Sequence, residues 1–263
     1  MINQNFIYLF PIFFVLGFIT ILISAIISSK KNKGEPSYKE TFKEKIIRPL
    51  IENEIEGAKY YPKGGIGREQ YDKAGYKEHY DRYNSDDLVI SSLKIDDKTN
   101  SEFAFSEVHT EYESTDSDGN TTYTTVFHGL AGSFKITKPI NSSLYIRSNG
   151  RVSSWNKEKI NMDMPEFEKV FDVESNDKIL TMRILTPDIM AEILDLYRKY
   201  KYRFEISIIK DKVYMRLMTG AMFEPNFFGK AMNYKTVEKY YLVLKALIDI
   251  ATHIFEVVDN LED

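Results

Sequence analysis

The hydrophobic positions along this chain change period repeatedly, and each change marks the start of a new element. Residues 6–29, FIYLFPIFFVLGFITILISAIISS, form a 24-residue run without a charged side chain. A bilayer core of ~30 Å takes about 20 apolar helical residues, so the run predicts a transmembrane helix. Pro11 falls in its first turns, where a membrane helix tolerates it. After the breaker Gly34-Glu35-Pro36, the spacing becomes that of an amphipathic helix, with Tyr38, Phe42, Ile46, Leu50, Ile51 and Ile55 on one side. Ser37 and Glu40 stand in capping-box spacing at its start, and Pro49 kinks it or begins a second helix.

From Asp87 the period falls to two. LVISSLKI, EFAFSEVHTEY, TTYTTVFHGL and GSFKI read as successive strands. Between Phe103/Phe105 and Val108/Tyr112 the apolar phase shifts, which predicts a bulge near Ser106 and Glu107. DSDGN, residues 116–120, is a hairpin turn. SSLYIRSNGRV adds a strand-like piece. Thr186-Pro187-Asp188 opens a helix with a capping hydroxyl, a proline at its first position and an acid in its first turn. Ile189, Ile193, Leu194, Tyr197 and Tyr200 line its apolar face. FEISIIKDKVYMRLM predicts a hairpin around Lys210-Asp211-Lys212. A final long helix, about 233–260, carries the stripe Val237, Tyr241, Leu244, Ile248, Ala251, Phe255 and Val258, read as core.

The expected fold class is therefore α+β. An N-terminal transmembrane helix precedes an antiparallel β-rich domain, sandwich or barrel-like, with an inserted helix and a long C-terminal amphipathic helix. Residues 1–34 read as anchor and basic flank, 35–86 as a membrane-proximal helical segment and loop, and 87–263 as the globular domain.

Charge sets the expected orientation. Lys30, Lys31 and Lys33 follow the apolar run, and no Lys or Arg precedes it. Basic flanks stay in the cytoplasm, which places the N-terminus outside and the remainder on the cytoplasmic face of the cell membrane. A cleavable signal peptide has a basic start and a shorter apolar core, neither of which is seen here. Of 35 basic and 39 acidic side chains, three lysines and no acid precede residue 35, so the rest of the chain carries −7. That balance is unlike a nucleic-acid binder, which shows a basic stripe. Three lysines also fall short of the four to eight typical of signalling-lipid recruitment. The absence of cysteine excludes disulfides, cysteine metal sites and a lipid-modified N-terminal cysteine.

Candidate chemistry is sparse. Gly64, Gly65 and Gly67 fit no phosphate-binding pattern and read as a loop. Asp116, Asp118 and Asn120 lack the remaining ligands of a calcium loop, so no metal is expected there. His79, His109, His128 and His253 show no paired ligand spacing, and no nucleophile elbow or kinase motif set is present. Glu166 and Glu168 are the one pair of acids considered for acid–base work. Trp155 stands in a polar stretch and supports no site. No catalytic residue and no cofactor is assigned.

The blocks FKEKIIRPLIE, PEFEKVFDVESND, MRILTPDIMAEIL and MFEP, in that order over about residues 38–260, resemble an uncharacterised bacterial family, one of the domain-of-unknown-function groups. Similar members are short membrane-anchored proteins, some encoded beside LemA-type proteins. The resemblance implies a shared fold, in which FHGLAGSFKI matches a central strand pair, and it transfers no catalytic residue.

Three function classes stay open. The expected one is a non-enzymatic, membrane-tethered module that offers a strand edge or groove to a protein or extended peptide. The others are a lipid-binding module, and an enzyme with an unrecognised acid–base site.

Overall fold

In the computed structural model, residues 37–94, 100–149, 158–225 and 234–261 are described. The run 6–29, Lys30, Lys31, Lys33 and Trp155 lie outside the described residues. Among the described residues no helix is long and apolar enough to cross a membrane.

Ser37 caps the first helix as its spacing predicts: its hydroxyl accepts from the Glu40 amide, and Glu40 returns a bond to the Ser37 amide at 3.0 Å. The helix runs in three pieces, α1 (Tyr38–Phe42), a π-helical turn (Lys43–Ile47) and α2 (Arg48–Glu54). Pro49 stands in the first turn of α2, where its missing N–H costs little. The chain then forms β1 (Lys59–Tyr61), α3 (Arg68–Asp72), β2 (Arg82–Lys94), β3 (Asn100–Thr115) and β4 (Thr121–Lys135). TTYTTVFHGL and GSFKI are thus one strand of 15 residues rather than two. β5 (Ser143–Ser148), β6 (Glu158–Lys159), α4 (Pro165–Glu168), β7 (Phe171–Ser175), α5 (Lys178–Ile184), α6 (Pro187–Tyr200), β8 (Arg203–Ile209), β9 (Lys212–Met218) and α7 (Tyr234–Asp259) follow.

The nine strands among the described residues belong to one antiparallel sheet, in the order β1-β2-β3-β4-β9-β8-β5-β7-β6. The molecule is an α+β fold built on that sheet. Segment 35–86 supplies β1 and the start of β2, and Ile47 and Ile51 of its helix are fully buried in the main core.

The two faces of the sheet are covered differently. Alternate side chains such as Phe103, Phe105, Leu130, Phe134 and Leu217 share one core with the first helix, α6 and α7. The stripe on α7 is part of it, with Val237, Leu244, Ala251, Phe255 and Val258 buried and Tyr241 and Ile248 partly so. Fully burying such side chains stabilises by about 1.5–3 kcal/mol each. On the opposite face, loop 62–81 lies across the strands. Tyr71 and Tyr80 pack there on Val108 and Phe127, Gln70 bonds the Ser133 hydroxyl, and Ser207 donates to the Ala74 carbonyl. A side chain at Gly65 would stand 2.5 Å from the Ser85 carbonyl oxygen, so this glycine lets the loop lie against β2.

This arrangement corrects the expected bulge. β3 runs without an inserted residue past Ser106; its buried side passes from Phe105 in the helical core to Val108 in the loop core. The extra residue lies on the partner strand, where the β2–β3 register shifts between Asp86 and Val89. There Asp87 adopts the left-handed conformation, φ 57°.

Candidate functional site

Lys43 sits three, four and seven residues before Ile46, Ile47 and Leu50, which places a lysine on the apolar side of the helix. It is 3% exposed. Its position in the π turn matters, because such turns re-aim a side chain at the cost of regular hydrogen bonding. Lys43 Nζ lies 2.5 Å from Asp87 Oδ2, 3.4 Å from Asp86 Oδ2 and 3.1 Å from Glu224 Oε1. Tyr60 completes the group by donating its hydroxyl to Asp87 Oδ1, and Lys39 pairs with Glu224 from the surface.

Asp87 is completely buried in this cluster. Burial raises its carboxyl to about 7, against the opposing pull of the hydrogen bonds from Lys43 and Tyr60. Burial also works against the charge on Lys43, but contact with Asp87 and Asp86 outweighs it and holds the ammonium charged. The Tyr60 hydroxyl is pushed far up by burial and by the nearby Asp87. Asp86, Asp87 and Glu224 bring carboxylate oxygens within 4.8 Å of one another, a grouping able to hold a cation. Here the Lys43 ammonium occupies that place.

Loop 219–225 connects this cluster to a second one. Its Glu224 reaches Lys43, its Phe223 is fully buried at φ 56°, and the Met222 amide donates to Glu107 Oε2 at 2.7 Å. Glu107 Oε1 is 2.9 Å from His128 Nε2. His109 and His128 are cross-strand partners whose rings stack with centroids 4.3 Å apart, and His109 Nε2 meets the Thr125 hydroxyl at 3.0 Å. Burial and the neighbouring His128 lower the pKa of His109.

A third buried ion group faces loop 62–81. Arg216 is 2% exposed, lies 3.9 Å over the Tyr76 ring, and pairs with Glu78 and Glu205 at 2.5 and 2.7 Å while donating to the Tyr71 hydroxyl.

The other residues singled out by sequence are dispersed. His79 stands by Asp81 and Tyr112, and His253 by Glu192. Glu166 is exposed on α4, while Glu168 accepts the Met162 amide at 2.8 Å, so the two do not form a carboxylate pair. Asp116 closes its turn by accepting from the Asp118 and Asn120 amides. Sequence spacing assigned no chemical role to Lys43, Asp87, Tyr60, Glu107 or Glu224. The available signals were a lysine at core spacing and the acid doublet Asp86-Asp87 directly before the apolar alternation of LVISSLKI.

The sheet also carries an incomplete edge. β9 pairs with β4 only from Leu130 to Lys135, and Gly220 adds a bond to the His128 carbonyl. Residues 121–125 of β4, TTYTT, pair with β3 on one side. Among the described residues they have no strand on the other. The β3–β4 arm projects there, with Tyr112 and Tyr123 exposed.

No curated protein matches this chain. The crystal structure of the mycobacterial trehalose monomycolate transport factor A, TtfA, is similar with a TM-score of 0.45 and 6% identity, covering 83% of this chain and 97% of that one. Residues 125–255, from within β4 through most of α7, match the family described as protein of unknown function (DUF3137).

Proposed function

We propose that this chain is a membrane-tethered, non-enzymatic interaction domain that uses the β3–β4 arm to engage another polypeptide. In this reading residues 6–29 span the membrane once, with Lys30, Lys31 and Lys33 holding the following domain on the cytoplasmic face. The observation that carries the interaction is the open edge at 121–125. Natural sheets blunt such edges with lysine, proline or a covering element, because unpaired N–H and C=O groups template a further strand. TTYTT has neither lysine nor proline. The buried polar clusters are read as structural: the Lys43 ammonium neutralises the carboxylates around it and fastens the first helix to the sheet.

A photo-reactive side chain in place of Thr122, in the full chain in intact membranes, tests the reading. A cross-link to a polypeptide is expected. Cross-linking only to lipid, or only from positions away from the arm, would contradict it. A reporter fused after residue 263 tests the orientation, and activity of one that works only outside the cytoplasm would reverse it.

A further inference from the structure

We infer that the partner of the β3–β4 arm is a second copy of the same chain, joined through antiparallel pairing of TTYTT with itself. This deepens the proposed interaction reading by naming the occupant of the edge.

The argument starts from which backbone groups are free. In an antiparallel ladder, successive residues turn their N–H and C=O alternately toward and away from a given neighbour. The Asp116 amide donates to the Asn120 carbonyl at the turn. With the register Glu113↔Tyr123 and Ser114↔Thr122, that alternation points Thr122 and Thr124 at β3. Thr121, Tyr123 and Thr125 therefore direct their amides and carbonyls away from it. At Val126 the regular ladder ends, since the β3–β4 register shifts between Thr110 and Glu111.

The free segment is a palindrome. Paired antiparallel about Tyr123, Thr121 of one copy faces Thr125 of the other, Thr122 faces Thr124, and Tyr123 faces Tyr123. Every outward-directed group then meets an outward-directed group. Threonine–threonine and aromatic pairs are among the favourable cross-strand pairs, and like charges are the unfavourable ones. No residue of TTYTT is charged. The same patch serves both copies, as a two-fold interface requires. Tyr123 is 48% exposed, and Arg82 already stacks over its ring at 4.4 Å, which leaves the backbone edge clear.

The native chain has no cysteine, so introduced cysteines report the register directly. Tyr123→Cys in the full chain, oxidised in isolated membranes, places two sulfurs across a pair whose Cα atoms stand about 5.5 Å apart, within the range a disulfide spans. A covalent dimer is the expected main product. Asp118→Cys at the exposed tip is the collision control, since the pairing keeps the two tips ~30 Å apart. Thr121→Cys and Thr125→Cys, mixed, are expected to link to each other and not to themselves. Equal yields from Tyr123→Cys and Asp118→Cys, or failure of the mixed pair, overturn the inference. Adducts from Tyr123→Cys to a different polypeptide also overturn it, while leaving the arm as an interaction surface. Tyr123→Cys that links to nothing, together with no polypeptide captured from Thr122, ends both readings.

Discussion

Lys43 Nζ and Asp87 Oδ2 meet 2.5 Å apart, and each residue reaches the other from a departure from regular structure. Lys43 leaves a π turn and Asp87 leaves a strand bulge at φ 57°. Together they place opposite charges in a buried position where the first helix crosses the sheet. The acid is sealed beneath Tyr60, and Glu224 ties loop 219–225 to the same ammonium.

Removing one partner strands the other. Lys43→Met keeps the unbranched apolar stem, one atom shorter, but leaves Asp87 buried without its cation. Loss of one member of a buried pair costs roughly 3–5 kcal/mol. Thermal unfolding of the chain is expected to show that loss, and the double variant Lys43→Met/Asp87→Asn is expected to recover much of it. A double variant no better than Lys43→Met would mean that Lys43 acts through packing alone.

Asp87 also predicts a pH dependence with a definite sign. Its carboxyl titrates near 7 in the folded chain and near 3.8 when free. Between those values the folded state binds the extra proton, so this group's contribution to stability is full below about 3.8 and is lost as pH rises to about 7. Relative to Asp87→Asn, the parent should lose at most ~4 kcal/mol across that window and change little above it. Denaturant midpoints of the two proteins, measured in parallel from pH 4 to 8, check this. A difference between parent and variant that stays constant over the window would contradict it.

Arg216 fastens loop 62–81 to the sheet. Replacing it with Met leaves Glu78 and Glu205 without their shared guanidinium and takes the cation from the Tyr76 ring. A cost of about 3–5 kcal/mol is expected. Limited proteolysis should then cut near Tyr76 well before the strands are attacked. Cleavage first at the strands, with the loop intact, would place the loop's attachment in Tyr71 and Phe127 instead.

Two glycines in FHGLAG set strand spacing. A Cβ at Gly129 would stand 2.1 Å from the Leu217 carbonyl oxygen, and one at Gly132 would stand 2.3 Å from Phe105 Cβ. Both obstacles lie on neighbouring strands, where relief requires backbone movement. Gly132→Ala is expected to destabilise by more than 1 kcal/mol, beyond the usual Gly-to-Ala range. An unchanged melt would show that β3 and β4 separate readily.

How far the sequence reached follows from the range of each interaction. Ser37 with Glu40, Thr186 with Pro187, the DSDGN turn and the Lys210 turn are local devices, and each stands where its spacing puts it. The strand order was not legible, because Leu130↔Leu217 and Tyr145↔Ser207 join residues far apart in the chain and no local period records them. The change of apolar phase on β3 was visible, but one strand cannot tell an inserted residue from a change of covered face. The cluster around Lys43 was hidden for the same reason: its members come from the first helix, β1, β2 and loop 219–225.

Whether the open edge of β4 carries the proposed interaction is read out by Tyr123→Pro. Tyr123 turns its N–H away from β3, so proline there removes a donor from the free edge and none from the β3–β4 ladder. Thr122→Pro removes a ladder bond and serves as the contrast, expected to loosen the arm itself. Native electrophoresis of the full chain from gently solubilised membranes reads the outcome. A parent complex larger than one chain is expected, together with a Tyr123→Pro variant that melts like the parent yet runs as a single chain. A parent that already runs as a single chain, or a Tyr123→Pro complex of unchanged size, would contradict it.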